Sequence, residues 1–319
     1  MRKPSRLGLW TAAVVAALTV AAPSFAQSRW PQRAVRLIAP LPPGTAVDIS
    51  ARLFAERLAQ RWGQGVVVEN KQGADGIVAV TAFLGAGDGH TLLISFGGVT
   101  TLNPLVHKNL QYDPNNLVPI TLVVDNYLGV AVSSQLKVNS VAELVKLAKA
   151  APGKYTWGAT PGQTAVLVPA FLKTAGIDML RLSYNNFTVG LQDLAQGRLS
   201  LAATSLSALL PLAQSGKAKV VMVTNQQRSP QAPDAPTARE AGFPNLTFPG
   251  FVVLFGPRAM PADVRERIAA DFREAAKDPA LRTRLEAIGL NIRVGTPAEA
   301  QAELDEQRKK MEAALKLGQ

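Results

Sequence analysis

Short apolar runs alternate with amphipathic stretches along most of the chain. Val35–Ala39, Gly65–Glu69, Thr91–Phe96, Ile120–Val124, Leu128–Val132, Tyr155–Ala159, Leu180–Tyr184, Leu199–Ala203, Val220–Thr224 and Phe251–Phe255 are each of strand length, and most are rich in β-branched residues. Such runs predict buried strands. The stretches between them carry apolar residues at helical spacing. After Val35–Ala39, for example, Ile49, Leu53, Leu58 and Trp62 form one stripe while Arg52, Glu56, Arg57 and Gln60 form the other, the pattern of a helix with one buried face. Helices are likewise predicted over Ile77–Leu84, Ala165–Thr174, Val189–Ala195, Pro261–Ala276 and Pro279–Ile288. The alternation of strand and helix runs through the chain twice. It predicts an α/β fold of two lobes with largely parallel sheets.

Local punctuation sharpens the boundaries. Ser140-Val141-Ala142-Glu143 has the form of a capping box opening a helix that runs to Ala150, with the serine and glutamate satisfying two otherwise unpaired N–H groups. Thr296-Pro297-Ala298-Glu299 does the same for the last helix, with proline at its first position. Pro236-Thr237-Ala238-Arg239-Glu240 predicts a further short helix. Thr45-Ala46-Val47-Asp48 is also of capping-box form, at the start of the first helix.

Composition then narrows the class. The 319 residues suffice for about two domains. With 47% hydrophobic residues a sizeable core is available. The absence of cysteine excludes a disulfide scaffold and a thiolate metal site, and His90 and His107 are too far apart in sequence to suggest a ligand pair. Residues 1–26 read as a cleaved export signal: Arg2, Lys3 and Arg6 form a basic start, Leu7–Ala22 is apolar, and Ser24-Phe25-Ala26 offers small residues for cleavage before Gln27. The apolar run is short for a membrane span, and the mature protein is expected to be soluble and exported. Net charge is +11 over the full sequence, three charges of which leave with the signal. A basic surface suits anionic ligands. No arginine-rich arm, zinc-knuckle spacing or aromatic–basic RNP pattern accompanies it, so nucleic acid is not expected as a partner.

The candidate chemistry lies in loops that end strands. Pro40-Leu41-Pro42-Pro43-Gly44-Thr45-Ala46-Val47-Asp48 is a strand end, a stiff proline turn and a helix start. Free N–H groups at a helix start, aided by the helix dipole, suit a carboxylate. A tight, well-capped connection with no ligand accounts for the same residues. Ser95, Gly97, Gly98 and Thr100 form a second such loop, which in a parallel sheet emerges at the same carboxyl edge, where α/β proteins bind ligands. Thr160-Pro161-Gly162-Gln163-Thr164 repeats the strand–loop–helix arrangement later in the chain. Gly158 to Gly162 is one residue short of a phosphate loop, with Gln163 where its lysine belongs, and His90 stands where Gly85-Ala86-Gly87-Asp88-Gly89 needs a third glycine to bind a dinucleotide. No Gly-x-Ser-x-Gly elbow is present. An exported hydrolase of a small ester or amide is the rival from another class, separable by turnover of model esters.

Several short segments, in order and spacing, resemble the tripartite tricarboxylate transporter substrate-binding proteins, the TctC or Bug family of periplasmic receptors. They are Pro40-Leu41-Pro42-Pro43-Gly44 with Asp48, Gly89-His90-Thr91-Leu92-Leu93, Tyr112-Asp113-Pro114, Ser140-Val141-Ala142-Glu143-Leu144, Arg228-Ser229-Pro230, Pro233-Asp234-Ala235-Pro236-Thr237, Glu240-Ala241-Gly242 and Gly295-Thr296-Pro297. The resemblance implies a Venus-flytrap fold whose two lobes are joined by two crossings, near Asp125–Val130 and Thr247–Phe251. One lobe would comprise residues 27–126 and 249–319, the other 127–248. It implies a monomer that captures a small organic carboxylate and presents it to transporter membrane subunits, or that reports it to a membrane signalling protein. The ligand-binding set is then expected to be Pro43, Gly44, Thr45, Ala46 and Asp48; Ser95, Gly97, Gly98 and Thr100; Thr160, Gly162, Gln163 and Thr164; Tyr184 and Asn185; and Thr204 and Ser205. No catalytic residue, metal or cofactor is expected. The chain departs from the family's pattern at Thr45, where a second glycine is usual, at Gln163-Thr164-Ala165-Val166-Leu167, where serines and a histidine are usual, and at Asn185-Asn186, where a lysine–glycine pair is frequent. These departures imply a less basic far wall and a distal ligand group that is polar or aromatic rather than a second carboxylate.

Overall fold

A computed structural model of the protein describes residues 30–184 and 186–318. The export signal expected over residues 1–26 and the ligand contact expected of Asn185 fall outside them. The chain begins with β1 (Val35–Ala39), α1 (Ala46–Trp62), β2 (Val66–Asn70), α2 (Ile77–Ala86), β3 (Thr91–Phe96), the short helices α3 (Gly98–Thr101) and α4 (Asn103–Val106), and the long β4 (Leu117–Asn126). It continues through β5 (Leu128–Ser133), α5 (Val141–Ala150), β6 (Thr156–Ala159), α6 (Gln163–Ala175), β7 (Leu180–Arg181), α7 (Phe187–Ala195), β8 (Leu201–Ser205), α8 (Leu206–Gln214) and β9 (Ala218–Val223). It ends with β10 (Phe251–Pro257), α9 (Ala262–Ala275), α10 (Pro279–Glu286), β11 (Leu290–Ile292) and α11 (Pro297–Gly318).

Two sheets result, both within one compact unit spanning Arg33–Gln319. The six-stranded sheet has the order β11-β4-β10-β3-β1-β2 and the five-stranded sheet β7-β6-β8-β5-β9. Neither is largely parallel, contrary to the expectation. In the first, β1 is parallel to β2 and β3, but β10 lies antiparallel between β3 and β4, and β11 antiparallel to β4. In the second, β6 is parallel to β7 and β8, while β5 is antiparallel to both β8 and β9. The reason is the route of the chain. Only Tyr127 separates β4 from β5. A strand that enters directly from the other sheet arrives at the opposite edge from one delivered by a crossover helix, and so runs against it.

The two connections between sheets are clamped to each other. The Asn126 N–H donates to the Gly250 carbonyl (2.9 Å) and the Thr224 N–H to the Leu128 carbonyl (2.9 Å). Gly250 is required by close approach: a Cβ there would lie 2.2 Å from the Asn126 carbonyl oxygen. Helix α11 adds a third tie. Its Ala300 and Leu304 belong to the apolar cluster of the six-stranded sheet, with Ile38, Leu93 and Phe255. Its Met311 and Ala314 belong to a cluster of the five-stranded sheet, with Trp157, Leu167 and Phe171. Between them Gln307, 1% exposed, accepts from the Thr101 hydroxyl (2.8 Å) and donates to the Pro249 carbonyl (3.1 Å).

The capping boxes at α5 and α11 form as the sequence indicates. Glu143 N–H donates to Ser140 Oγ (3.2 Å), and Glu299 N–H to Thr296 Oγ1 (3.2 Å). The short helix expected over Pro236–Glu240 is a turn instead. The box itself closes, with Glu240 N–H donating to Thr237 Oγ1 (3.2 Å) and Thr237 N–H to Glu240 Oε2 (2.8 Å). Thr237 also bridges to Val223 of β9, and Gly242 at φ 89° follows, so the chain leaves after one turn.

Candidate functional site

The parallel strands of each sheet deliver their following loops to one edge. After β2 and β3 come Asp75 and the α3–α4 segment; after β6 and β7 come Pro161–Gly162 and Leu182–Tyr184. These loops meet around a cleft of about 350 Å³. One wall consists of Asp75, Leu102, Asn103 and Val106, the other of Ala159, Pro161, Gly162, Ala165, Val166, Arg181, Leu182, Ser183 and Tyr184. The cleft thus lies between the two sheets at the carboxyl edges of their parallel strands, where α/β folds place ligands.

The first turn is built differently from the capping box expected there. Gly44 has φ 84°, a left-handed conformation that favours glycine. Its N–H donates to Asp48 Oδ2 (2.9 Å). The Thr45 hydroxyl donates backward to the Pro42 carbonyl (2.8 Å) and caps nothing in the helix. Asp48, 2% exposed, also accepts from Arg52 Nε (3.0 Å to Oδ1) and Asn70 Nδ2 (3.0 Å). The Gly44 N–H and the Asp48 carboxylate are thus engaged with each other and with Arg52 and Asn70 inside the turn. Among the described residues, the N–H groups of Ala46, Val47 and Asp48 open α1 without a chain acceptor. Thr45 and Ala46 are half-buried beside the exposed Pro43 and Gly44.

Burial alone would raise the Asp48 carboxyl, but the hydrogen bonds from Arg52, Gly44 and Asn70 outweigh it and hold it below the usual carboxylate range. A depressed carboxyl contributes stability that is complete above its unfolded pKa of about 3.9 and is lost as pH falls through the folded value. Asp48→Asn is accordingly expected to lose about 1–3 kcal/mol at pH 7. Its unfolding midpoint in urea should fall less steeply than wild type below about pH 4. Parallel acid limbs for the two proteins would remove Asp48 as a contributor.

The second expected loop serves packing. Ser95 is fully buried within β3, and Gly97 and Gly98 are buried. A Cβ on Gly97 would lie 2.4 Å from Gln307 Oε1 and 2.9 Å from the Phe251 ring, so this glycine lets α11 and β10 approach. Thr100 donates its hydroxyl to the Gly97 carbonyl (3.1 Å), and its own carbonyl accepts from Arg308 (2.9 Å). Close packing claims the glycines and an internal bond claims the Thr100 hydroxyl, while the Ser95 hydroxyl is buried without a hydrogen-bond partner.

In the five-stranded half the structure brings Gly162 and Tyr184 to the cleft wall. Thr160 and Thr164 flank it with hydroxyls 2.9 Å apart, and Thr164, buried, donates to the Thr160 carbonyl (2.7 Å). Gln163 opens α6 with its side-chain amide nitrogen buried and unpartnered. Thr204 is buried in β8 beside Gly129, and the half-buried Ser205 accepts from the Ser207 hydroxyl (3.2 Å). The Tyr184 hydroxyl donates to Asp193 Oδ2 (3.0 Å), and burial with that carboxylate pushes the phenol up to about 12, so it stays protonated.

Of the wall residues, only Gly162 and Tyr184 belong to the expected set; Asn103, Asp75 and Arg181 are among those the sequence reading missed. Asn103, buried, donates to the Asp75 carbonyl (3.0 Å) and holds it where Ala74 and Asp75 adopt consecutive positive φ values of 45° and 53°. Asp75 Oδ2 lies 3.1 Å from His107 Nε2. Arg181 stands over the Trp157 ring at 5.4 Å. The Gly73-Ala74-Asp75-Gly76 loop was a visible signal for Asp75, whereas an arginine ending a two-residue strand carries none.

A family model described as "Tripartite tricarboxylate transporter family receptor" matches residues 50–317. The chain belongs to that family. The receptor is 30% identical over 305 residues to a UPF0065 protein of Bordetella bronchiseptica, across 94% of this chain and 89% of the relative. Among solved structures, an R. palustris protein with adipate matches it with a TM-score of 0.83 and 27% identity, covering 91% of this chain and 98% of that one. Periplasmic binding protein BugD matches with a TM-score of 0.78 and 26% identity, covering 91% and 99%. The receptor thus has the two-lobed periplasmic-binding-protein fold, built on two mixed sheets, and its family is one of solute-binding receptors rather than enzymes.

Proposed function

We propose that this receptor is exported to the periplasm, where it captures a small organic carboxylate between its lobes and presents it, as a monomer, to the membrane subunits of a tripartite transporter. The observation that carries the reading is the cleft between the two sheets, lined by loops from the carboxyl edges of both. One lobe is formed by residues 27–126 and 249–319 and the other by 127–248, with the end of α11 packed against the second. The helix starts at Ala46 and Gln163 supply partial positive charge without a fixed ion, which suits a ligand that must later be released. That a relative of 27% identity was solved with adipate supports a carboxylate. Closure about the two strand connections would bury it.

A thermal-shift screen of mono- and dicarboxylates, amino acids and aromatic acids tests this. A ligand that binds only the folded form raises the melting temperature, by mass action, in proportion to its affinity. Saturable stabilisation by an aliphatic carboxylate is expected; stabilisation only by uncharged solutes would refute the reading.

A further inference from the structure

We propose that the end of the five-stranded half remote from the cleft docks on anionic lipid headgroups, so that the receptor rests on a membrane surface with its cleft turned to solvent. The inference goes beyond ligand capture and holds whatever the solute is. It starts from an uneven distribution of charge. Residues 127–248 carry 11 lysines and arginines against 5 acids, whereas residues 27–126 and 249–319 carry 20 against 18. Most of the excess positive charge of the exported chain therefore lies in one half.

The fold gathers that excess at one edge. The cleft is lined by Ala159, which ends β6, and by Gly162 at the start of α6. The opposite edge is where β6 begins, and Lys154 stands just before it. Lys173 is in the last turn of α6. Lys149, in the last turn of α5, reaches the Gly176 that closes α6, with its Cε 3.9 Å from where a Cβ would stand. Because β5 runs against both β8 and β9, its end and the start of β9 reach this same edge. There the Ser134 N–H donates to the Lys217 carbonyl (3.2 Å) and the Lys137 N–H to the Ser134 carbonyl (3.1 Å). Lys219 is in register with Val132 near the end of β5, and Lys146 lies one turn before Lys149. All of these lysines are exposed.

Little neutralises them. Among the described residues, the ion pairs of this half are arginine pairs, Arg198 with Asp193 and Arg228 with Glu240, and none involves a lysine. Of the acids between β5 and β7, Glu143 accepts from the Asn139 N–H at the start of α5, which leaves Asp178. The chemistry of the face chooses a lipid surface over a protein. Protein interfaces centre on aromatic, methionine and arginine side chains and are depleted in lysine. Here lysine carries the unpaired charge, and among the described residues no exposed large apolar side chain lies on α5, α6 or β9. A lysine on an edge strand such as β9 also discourages pairing with another chain, but that leaves those on α5 and α6 unexplained. Dispersed point charges without an apolar anchor suit a headgroup layer, where each basic residue near the surface strengthens binding about fivefold. Contact of this kind is peripheral, and no helix among the described residues is long and apolar enough to cross a membrane.

The test is flotation of the mature protein with phosphatidylcholine vesicles containing about one-third phosphatidylglycerol. It is run at about 0.1 M and about 1 M salt, between which the screening length falls from about 10 Å to about 3 Å. Wild type is compared with a variant that combines Lys146→Gln, Lys149→Gln and Lys173→Gln. A second variant removes the same charge elsewhere, through Lys108→Gln, Arg258→Gln and Arg282→Gln. Melting temperatures confirm that both are folded. Expected is wild-type binding at the lower salt that is lost at the higher and absent on pure phosphatidylcholine. The first variant should bind more than about tenfold more weakly and the second less than about threefold. Equal weakening in the two would overturn the inference, since net charge rather than this edge would be responsible. Binding that persists at the higher salt would overturn it as well. So would a wild type that ignores the anionic vesicles, which would leave an acidic protein as the partner these lysines fit. None of these outcomes bears on ligand capture, which the thermal-shift screen reads separately.

Discussion

Ala46→Pro is expected to weaken carboxylate binding about tenfold to a hundredfold while leaving stability close to wild type. Ala46 is the first residue of α1, and Thr45 before it has φ −80° and ψ 164°. That extended conformation is the one a following proline requires. Proline at the first helical position removes an N–H that the helix itself does not use, and its fixed φ suits the helix. The substitution therefore deletes one hydrogen-bond donor to the proposed anion with little disturbance to the turn. A hydrogen bond to a charged group contributes about 1.5–3 kcal/mol, which gives the stated range. Affinity by calorimetry and stability by urea unfolding separate the two effects. Unchanged affinity would place the anion elsewhere; a large fall in stability would show that the turn needs the N–H for its own structure.

Gly250→Ala is expected to have the largest effect on the fold itself. The added Cβ would lie 2.2 Å from a backbone carbonyl oxygen, that of Asn126, and 3.0 Å from Leu128 Cγ. Backbone cannot rotate aside as a side chain does. The two connections must separate, which strains the Asn126–Gly250 hydrogen bond that joins them. A loss of about 2–4 kcal/mol is expected from overpacking together with a weakened buried hydrogen bond. Urea unfolding measures it. A variant as stable as wild type would mean that the connections move apart without cost, and that they do not act as a paired hinge.

Most strands were legible in the sequence, because runs such as Thr91–Phe96 and Leu128–Val132 are apolar throughout and bounded by turn residues. Their directions were not. An apolar run carries no mark of which neighbour it pairs with, and β10 reads the same whether it runs with β3 or against it. The cap of α11 was legible because threonine and glutamate at that spacing have one economical arrangement. At α1 the same logic failed by one residue. Gly44, free to adopt a positive φ, brings its own N–H to Asp48, and the carboxylate is drawn toward Arg52 and Asn70 as well. The glycine at position 97 was ambiguous in the sequence because the residue it accommodates, Gln307, lies far along the chain. Arg181 was invisible for a related reason: its partner, the Trp157 ring, is adjacent only once β6 and β7 are paired.

The placement of α11 also governs the order in which the molecule is completed. On the ribosome, the six-stranded sheet lacks its central strand until residues 251–257 emerge, since β10 sits between β3 and β4. The cluster around Trp157 and Phe171 is open until Met311 and Ala314 are made. The two halves are completed only as these late segments arrive, and contacts between distant segments slow folding further. A polypeptide organised in this way stays threadable until β10 and the far end of α11 have been made.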